Sequence, residues 1–141
     1  MPYEKELSKV WIFSKLEPDD LARVGKSVVP RTFPAGTEIV KEGEQAVAFY
    51  VIVKGKVEVV KGHDVLTTFS AGDSFGEMAL LDGFPRVASV RAVEDTECLV
   101  MTRWDFTAEV KSEPSIALAM LPVMSKRIRD LEGRIGDAVA H

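Results

Sequence analysis

The 141-residue chain carries a formal net charge of −4, with 46% apolar and 28% charged residues. Its length suits one domain around one core, its composition argues against disorder over most of the length, and its charge excludes a global basic footprint for nucleic acid. Any anion site must therefore be built locally. The opening MPYEKELSK holds acids and no following apolar core of signal type, so no export signal is visible. Beyond it the chain reads helical. Pro18, Asp19 and Asp20 stand where a first helical turn favours a proline and acids, Leu21, Val24 and Val28 recur at helical spacing, and Pro30 ends the pattern.

From Arg31 to Met101 the signals change to strands and turns. TFPAGTEIVKEG, AFYVIVKGKVEVVKG, VLTTFSAG and ASVRAVEDTECLVMT are punctuated by Gly36, Gly43, Gly55, Gly62 and Gly72, and KVEVVKG alternates as a half-buried strand does. About eight strands at this spacing predict a sandwich or jelly-roll barrel. Thr32-Phe33-Pro34-Ala35-Gly36-Thr37 echoes Thr68-Phe69-Ser70-Ala71-Gly72-Asp73, as two equivalent corners of one barrel would. Lys61-Gly62-His63-Asp64 reads as a hairpin turn. Cys98, the one cysteine, sits in strand-like ECLVM, so no intrachain disulfide forms and a buried structural thiol is expected, in keeping with a reducing cytoplasm. The longest apolar run, residues 46–53, is too short to span a bilayer.

The end is helical again. Thr102, followed three residues later by Asp105, has the form of a capping box. Trp104 and Phe106 are expected in the core, with Val110 on the face of Phe106. Ser112-Glu113-Pro114 restarts a helix in which Leu121, Met124, Ile128, Leu131, Ile135 and Ala138 follow with gaps of 3, 4, 3, 4 and 3. That heptad seam serves either a dimer coil or packing on the chain's own barrel, and a parallel homodimer is the expectation. Pro122 should bend or delay this helix, and Gly133 and Gly136 weaken its tail. Lys126, Arg127, Arg129 and Arg134 read as a solvated face. His63 and the terminal His141 are too few and too scattered for a metal site, and no metal or cofactor is expected.

Residues 75–90, FGEMALLDGFPRVASV, carry the chemistry. Arg86 stands among small and apolar residues, where a cation needs a negative partner: Glu77, Asp82 or a ligand. Residues 77–81 are good helix formers, Gly76 lets the backbone come close at their start, and the first N–H groups of any helix lack internal partners. These groups and a guanidinium converging on one point suit a phosphate. Glu77 would repel that anion, so it needs a neutral donor such as a sugar hydroxyl. The combination reads as a phosphate plus a ribose.

FGEMALL followed by PRVASVRA resembles the phosphate-binding cassette of the cyclic nucleotide-binding domains, a family found in the catabolite activator protein, kinase regulatory subunits and gated channels. The resemblance extends over nearly the whole chain: IFSKL, Gly36, Glu42-Gly43-Glu44, Phe49-Tyr50-Val51-Ile52 with Gly55, Gly72-Asp73 and Arg103-Trp104-Asp105-Phe106 look like the family pattern. It implies a mainly β fold, a β-jelly roll flanked by N-terminal helices and one or two C-terminal helices. It also implies that Arg86 binds the cyclic phosphate, that Glu77 takes the ribose 2′-hydroxyl, and that main-chain N–H groups at Gly76, Met78 or Ala79, and near Ala88, complete the cradle. Ala46-Val47 stands where the family often carries Gly-Asp, in a loop on which the cassette is not expected to depend. Family members favouring cGMP tend to have a hydroxyl at the position of Val87; valine can neither donate nor accept, so cAMP is the better match. Ser89 lies two positions further on. One of Arg127 or Arg129 is a weaker candidate for touching adenine.

The expectation is one cyclic nucleotide-binding domain over residues 1–141: an N-terminal helical part at 1–29, a jelly roll at 30–101 with the cassette at 75–90, and C-terminal helices at 102–141. Its ligand would be cAMP and its role that of a cytoplasmic, non-enzymatic sensor that relays occupancy through its C-terminal helices. No nucleophile–base constellation, P-loop or CxxC is visible. Direct nucleic-acid binding is not expected, because no room remains after the C-terminal helix for a helix-turn-helix module. The alternative is an interaction or dimerisation module of the same fold whose cassette binds nothing.

Overall fold

The computed structural model describes residues 3–135. Gly136, Ala138 and His141 therefore lie outside the described residues. Two short N-terminal helices, α1 (Glu4–Leu7) and α2 (Pro18–Gly25), flank a 3-10 turn at Trp11–Phe13. Eight strands follow: β1 (Val29–Phe33), β2 (Glu38–Val40), β3 (Ala48–Lys54), β4 (Lys56–Lys61), β5 (Asp64–Ser70), β6 (Ser74–Phe75), β7 (Ser89–Ala92) and β8 (Thr96–Thr102). The described residues finish with α3 (Arg103–Ser112) and α4 (Ser115–Ile135).

The strands form two four-stranded antiparallel sheets, ordered β1-β8-β3-β6 and β2-β7-β4-β5. This is the expected jelly roll. The sequence echo marks its corners: Gly36 (φ 89°) turns the chain from the first sheet to the second, and Gly72 (φ 96°) turns it back. Each glycine N–H reaches the opposite sheet, Gly36 to the Ala92 carbonyl at 2.8 Å and Gly72 to the Ile52 carbonyl at 2.9 Å. Gly62 and His63 form the two-residue turn that pairs Lys61 with Asp64.

Side chains alternate across a strand, and β3 and β8 are apolar on both faces. Ala48, Ile52, Cys98 and Val100 point between the sheets and meet Val40, Val57, Phe75 and Val90. Phe49, Val51, Leu99 and Met101 point outward and meet the helices through Leu7, Ile12, Phe13, Val24, Phe106, Ile116 and Met120. A strand covered on both faces reads as a continuous apolar run, which explains FYVIV and CLVM.

Several local expectations are corrected. The helical spacing through Val28 outruns the helix, since α2 ends at Gly25. Pro30 lies inside β1, an edge strand paired only with β8, where a missing N–H is tolerated. Trp104 is not core: it is 63% exposed, while Phe106 is buried. Two residues along an α-helix turn the side chain by about 200°, so the two rings cannot share a face. Pro122 does not delay α4, which runs unbroken through it; the carbonyl left without a donor belongs to Leu118, whose residue is exposed and open to water. Thr102 caps α3 as expected, its Oγ1 accepting from the Asp105 N–H at 3.1 Å.

Cys98 is fully buried, and burial pushes its thiol up to about 12 from an ordinary 9.0. Only the folded state disfavours the thiolate. The group's contribution to stability is therefore complete below pH 9.0, falls as the unfolded thiol ionises, and is lost as pH rises through about 12. At pH 8 a thiol-specific disulfide reagent should leave the native protein untouched and titrate one thiol after unfolding in urea; rapid native reaction would contradict the burial.

Candidate functional site

Gly76 ends β6 and turns with φ 81°, a left-handed conformation open to glycine at little steric cost. A single 3-10 turn, Glu77–Leu80, follows, with Leu80 buried and Met78 52% exposed. The Ala79 N–H is engaged inside the turn, donating to the Gly76 carbonyl at 3.0 Å. Asp82 Oδ1 accepts from the Phe84 N–H at 3.0 Å and reverses the chain toward Arg86.

The segment carrying Arg86 is stitched to the loop after β2. Arg86 N–H donates to the Glu44 carbonyl at 2.8 Å, Gly43 N–H to the Arg86 carbonyl at 2.8 Å, and Ala46 N–H to the Phe84 carbonyl at 3.3 Å. The expectation that the cassette is independent of that loop is thus corrected. The stitching is main-chain and so does not depend on the side chains of Ala46 and Val47. Ser89 Oγ is likewise occupied, accepting from the Glu42 N–H at 2.9 Å.

The guanidinium of Arg86 extends across Gly76 and donates from Nη2 to the Ala48 carbonyl of β3 at 2.5 Å. A Cβ at Gly76 would stand 2.5 Å from Arg86 Nη1. Among the described residues no carboxylate forms an ion pair with Arg86. Neither Glu77 nor Asp82 is the partner sought from the sequence. Burial pushes the Arg86 pKa below its ordinary value, against the opposing influence of Tyr50 and then Glu77. Burial also raises the Tyr50 pKa, opposed by Arg86 and Arg31. The cation is thus partly desolvated and has no ion-pair partner among the described residues, and an incoming anion would relieve that cost.

These residues line a cavity of about 400 Å³ with Val40 and Ala46, walled by Gly76, Glu77, Met78, Ala79, Arg86, Val87 and Ala88. The sequence-derived candidates therefore come together in one place. The volume lies within the range of about 300–1,000 Å³ typical of small-molecule sites. Val87 is 76% exposed at its mouth. Sequence reasoning missed Phe84, which also lines the cavity and is exposed; it reads as a turn residue, and nothing in its spacing marks it. It also missed Trp11, whose indole N–H donates to Glu77 Oε1 at 3.1 Å across 66 positions of sequence. Arg127 does not line the cavity; it lies over the Trp11 ring, 4.4 Å from its centre. Among the described residues no cluster of acids, histidines and cysteine could hold a metal, and no helix is long and apolar enough to cross a membrane.

The model of the cyclic nucleotide-binding domain matches residues 30–113, and the chain belongs to that family. A CRP-like cAMP-activated global transcriptional regulator from Mycobacterium tuberculosis is 28% identical over 138 residues, 94% of this chain and 62% of the relative. A cAMP-dependent protein kinase regulatory subunit from Emericella nidulans is 38% identical over 106 residues, 74% of this chain and 26% of that subunit. The chain thus spans only part of these relatives. The crystal structure of the N-terminal domain of a transcriptional regulator from Streptomyces coelicolor superposes with a TM-score of 0.82 at 23% identity, covering 90% of this chain and 92% of that one. At that identity the likeness speaks to the fold.

Gly76→Ala should destabilise the protein by about 1–2 kcal/mol, the cost of a left-handed non-glycine residue, with the guanidinium displaced in addition. Urea unfolding measures it, and an unchanged midpoint would show that the close approach of Arg86 to Gly76 constrains nothing.

Proposed function

We propose that the chain is a non-enzymatic sensor of cyclic nucleotides, with cAMP preferred over cGMP. The observation that carries this reading is the Arg86 guanidinium: half-buried in a cavity, held by one carbonyl, and ion-paired with no acid among the described residues. Arg86 would grip the cyclic phosphate with charge-assisted hydrogen bonds. The cassette backbone around Gly76, Met78 and Ala88 would complete the cradle, and Ala79 would join it where its N–H exchanges the Gly76 carbonyl for the ligand. Glu77 would accept from the ribose 2′-hydroxyl. Val87, exposed at the cavity mouth, offers an apolar surface to the base and no partner for guanine's extra donor. The names of the mycobacterial and fungal relatives, both tied to cAMP, support the same ligand.

Occupancy would be relayed by the cassette's apolar residues. Leu80 is already buried in the same cluster as Phe106, Ile116 and Met120. Beside it an apolar groove of about 360 Å³ runs between the cassette, α3 and α4, lined by Leu81, Val110 and Met124 among others. Phosphate binding that draws the 3-10 turn toward Arg86 would carry Leu80 and Leu81 with it, and the two C-terminal helices would repack. The ligand biases this equilibrium only by its preference for the closed state.

A homodimer through α4 is the second part of the proposal. Leu121, Ile128, Leu131 and Ile135 are 55%, 58%, 47% and 62% exposed at heptad spacing. Sedimentation of the full chain against one ending at residue 122 should show a heavier particle only for the full chain; equal masses would remove the coil.

Calorimetric titration tests the sensor. cAMP should release or absorb heat at micromolar concentration, and Arg86→Leu should weaken binding by roughly 100-fold or more, since two charge-assisted hydrogen bonds at ~1.5–3 kcal/mol each are lost. No heat with either nucleotide would favour a non-binding scaffold. Val87→Thr should raise the affinity for cGMP relative to cAMP; an unchanged ratio would mean that this side chain does not face the base.

A further inference from the structure

Trp11 and Arg127 join three parts of the molecule that the sequence keeps far apart. Trp11 belongs to the N-terminal 3-10 turn, whose Ile12 and Phe13 are buried in the helix-side core. Its indole Nε1 donates to Glu77 Oε1 at 3.1 Å, and Arg127 of α4 stands 4.4 Å over its ring. We infer that Trp11 is a positioning residue of the nucleotide site, aiming the Glu77 carboxylate at the ligand's sugar hydroxyl and tying that carboxylate to α4 through Arg127. The inference rests on the proposed ribose role of Glu77.

The chemistry of the contact favours positioning over competition. A carboxylate has two oxygens and about four lone-pair sites, whereas an indole offers a single donor. Trp11 therefore occupies one place on Oε1 and leaves Oε2 for a hydroxyl. An indole is also neutral, so it orients Glu77 without cancelling its charge, as a lysine or arginine partner would. Glutamate on a short turn otherwise samples several rotamers, and the hydrogen bond removes that freedom before the ligand arrives. A guanidinium within about 6 Å of an indole face is attracted to the ring and draws electron density from it, which makes the N–H a better donor. Arg127 itself is exposed, so its hold on the ring is open to change when α4 moves. A shift of α4 would then be felt at the sugar side of the site, and occupancy of that side would be felt at α4.

The test compares cAMP with 2′-deoxy-cAMP, which lacks only the hydroxyl that Glu77 would take. The wild-type chain should bind the deoxy analogue more weakly by about tenfold or more. Trp11→Phe keeps a ring and removes the donor, and should shrink that discrimination by about fivefold, the worth of one hydrogen bond. Arg127→Gln, a surface change that leaves the core intact, should shrink it in the same direction by less. Equal weakening of both nucleotides, with their ratio unchanged, would mean that Trp11 is only structural and overturns the inference. Absence of cAMP binding by the wild-type chain would instead defeat the sensor reading on which the inference stands. Should Trp11→Phe not fold, the Trp104→Phe chain carries the test, because Trp11 is then its one indole. cAMP must shift Trp11 emission more than the deoxy analogue does, and equal shifts at saturation overturn the inference.

Discussion

β3 and β8 lie side by side in the first sheet with apolar side chains on both faces, and the rest of the molecule is arranged around that pair. Toward the second sheet they supply Ala48, Ile52, Cys98 and Val100; toward the helices they supply Phe49, Val51, Leu99 and Met101. Each buried aliphatic or aromatic side chain contributes roughly 1.5–3 kcal/mol of transfer free energy. A one-residue slip in register would exchange the two sets of side chains between unlike cores. The same strand also serves the site. The Ala48 carbonyl that receives Arg86 belongs to the backbone of β3, and Leu80 of the cassette packs in the same cluster as Phe49 and Val51. The pocket is therefore built against a strand that is buried on both faces.

Against that scaffold the cassette is lightly held. One 3-10 turn, two glycines in a left-handed conformation, Gly76 and Gly83, and a few main-chain bonds to the loop after β2 place a cation where burial disfavours its charge. A structural arginine would be neutralised by an acid, and two acids, Glu77 and Asp82, stand close in sequence. Glu77 instead meets an indole, and Asp82 caps the turn that precedes the arginine. A cation in a cavity with no ion-pair partner among the described residues stores a preference for an anion, and that preference is the driving force of the proposed binding.

The cassette also touches what would have to move. Leu80 is shared between the 3-10 turn and the cluster that holds Ile116 of α4 and Phe106 of α3, while Glu77 reaches α4 by way of Trp11 and Arg127. Phosphate-side and sugar-side changes would thus arrive at the C-terminal helices along two different routes, one by packing and one by polar contact. Family membership says only that a cyclic nucleotide is the relevant ligand class. Under the proposal, the link from that ligand to the C-terminal helices would run through two residues outside the cassette, Trp11 and Arg127.

The amino-acid sequence by itself determined the element types, the jelly roll and the cassette, because these depend on local chemistry. Period-two alternation, glycines at corners, a threonine cap and a PRVAS segment after FGEMALL are all readable within a dozen residues. A local pattern does not decide every residue. Trp104 looked like core because it is large and apolar, but its face of α3 is decided by where Phe106 packs. Pro122 is expected to bend or delay its helix, but an exposed carbonyl one turn back tolerates the missing donor and α4 starts seven residues before it. Only the tertiary structure decided the partners of charged and aromatic groups: Ala48 for Arg86 across 38 positions, Trp11 for Glu77 across 66, and Arg127 over Trp11. Such pairs are set by which strands and helices come to lie against each other, and chain folding brings them together with no trace in the spacing of either residue.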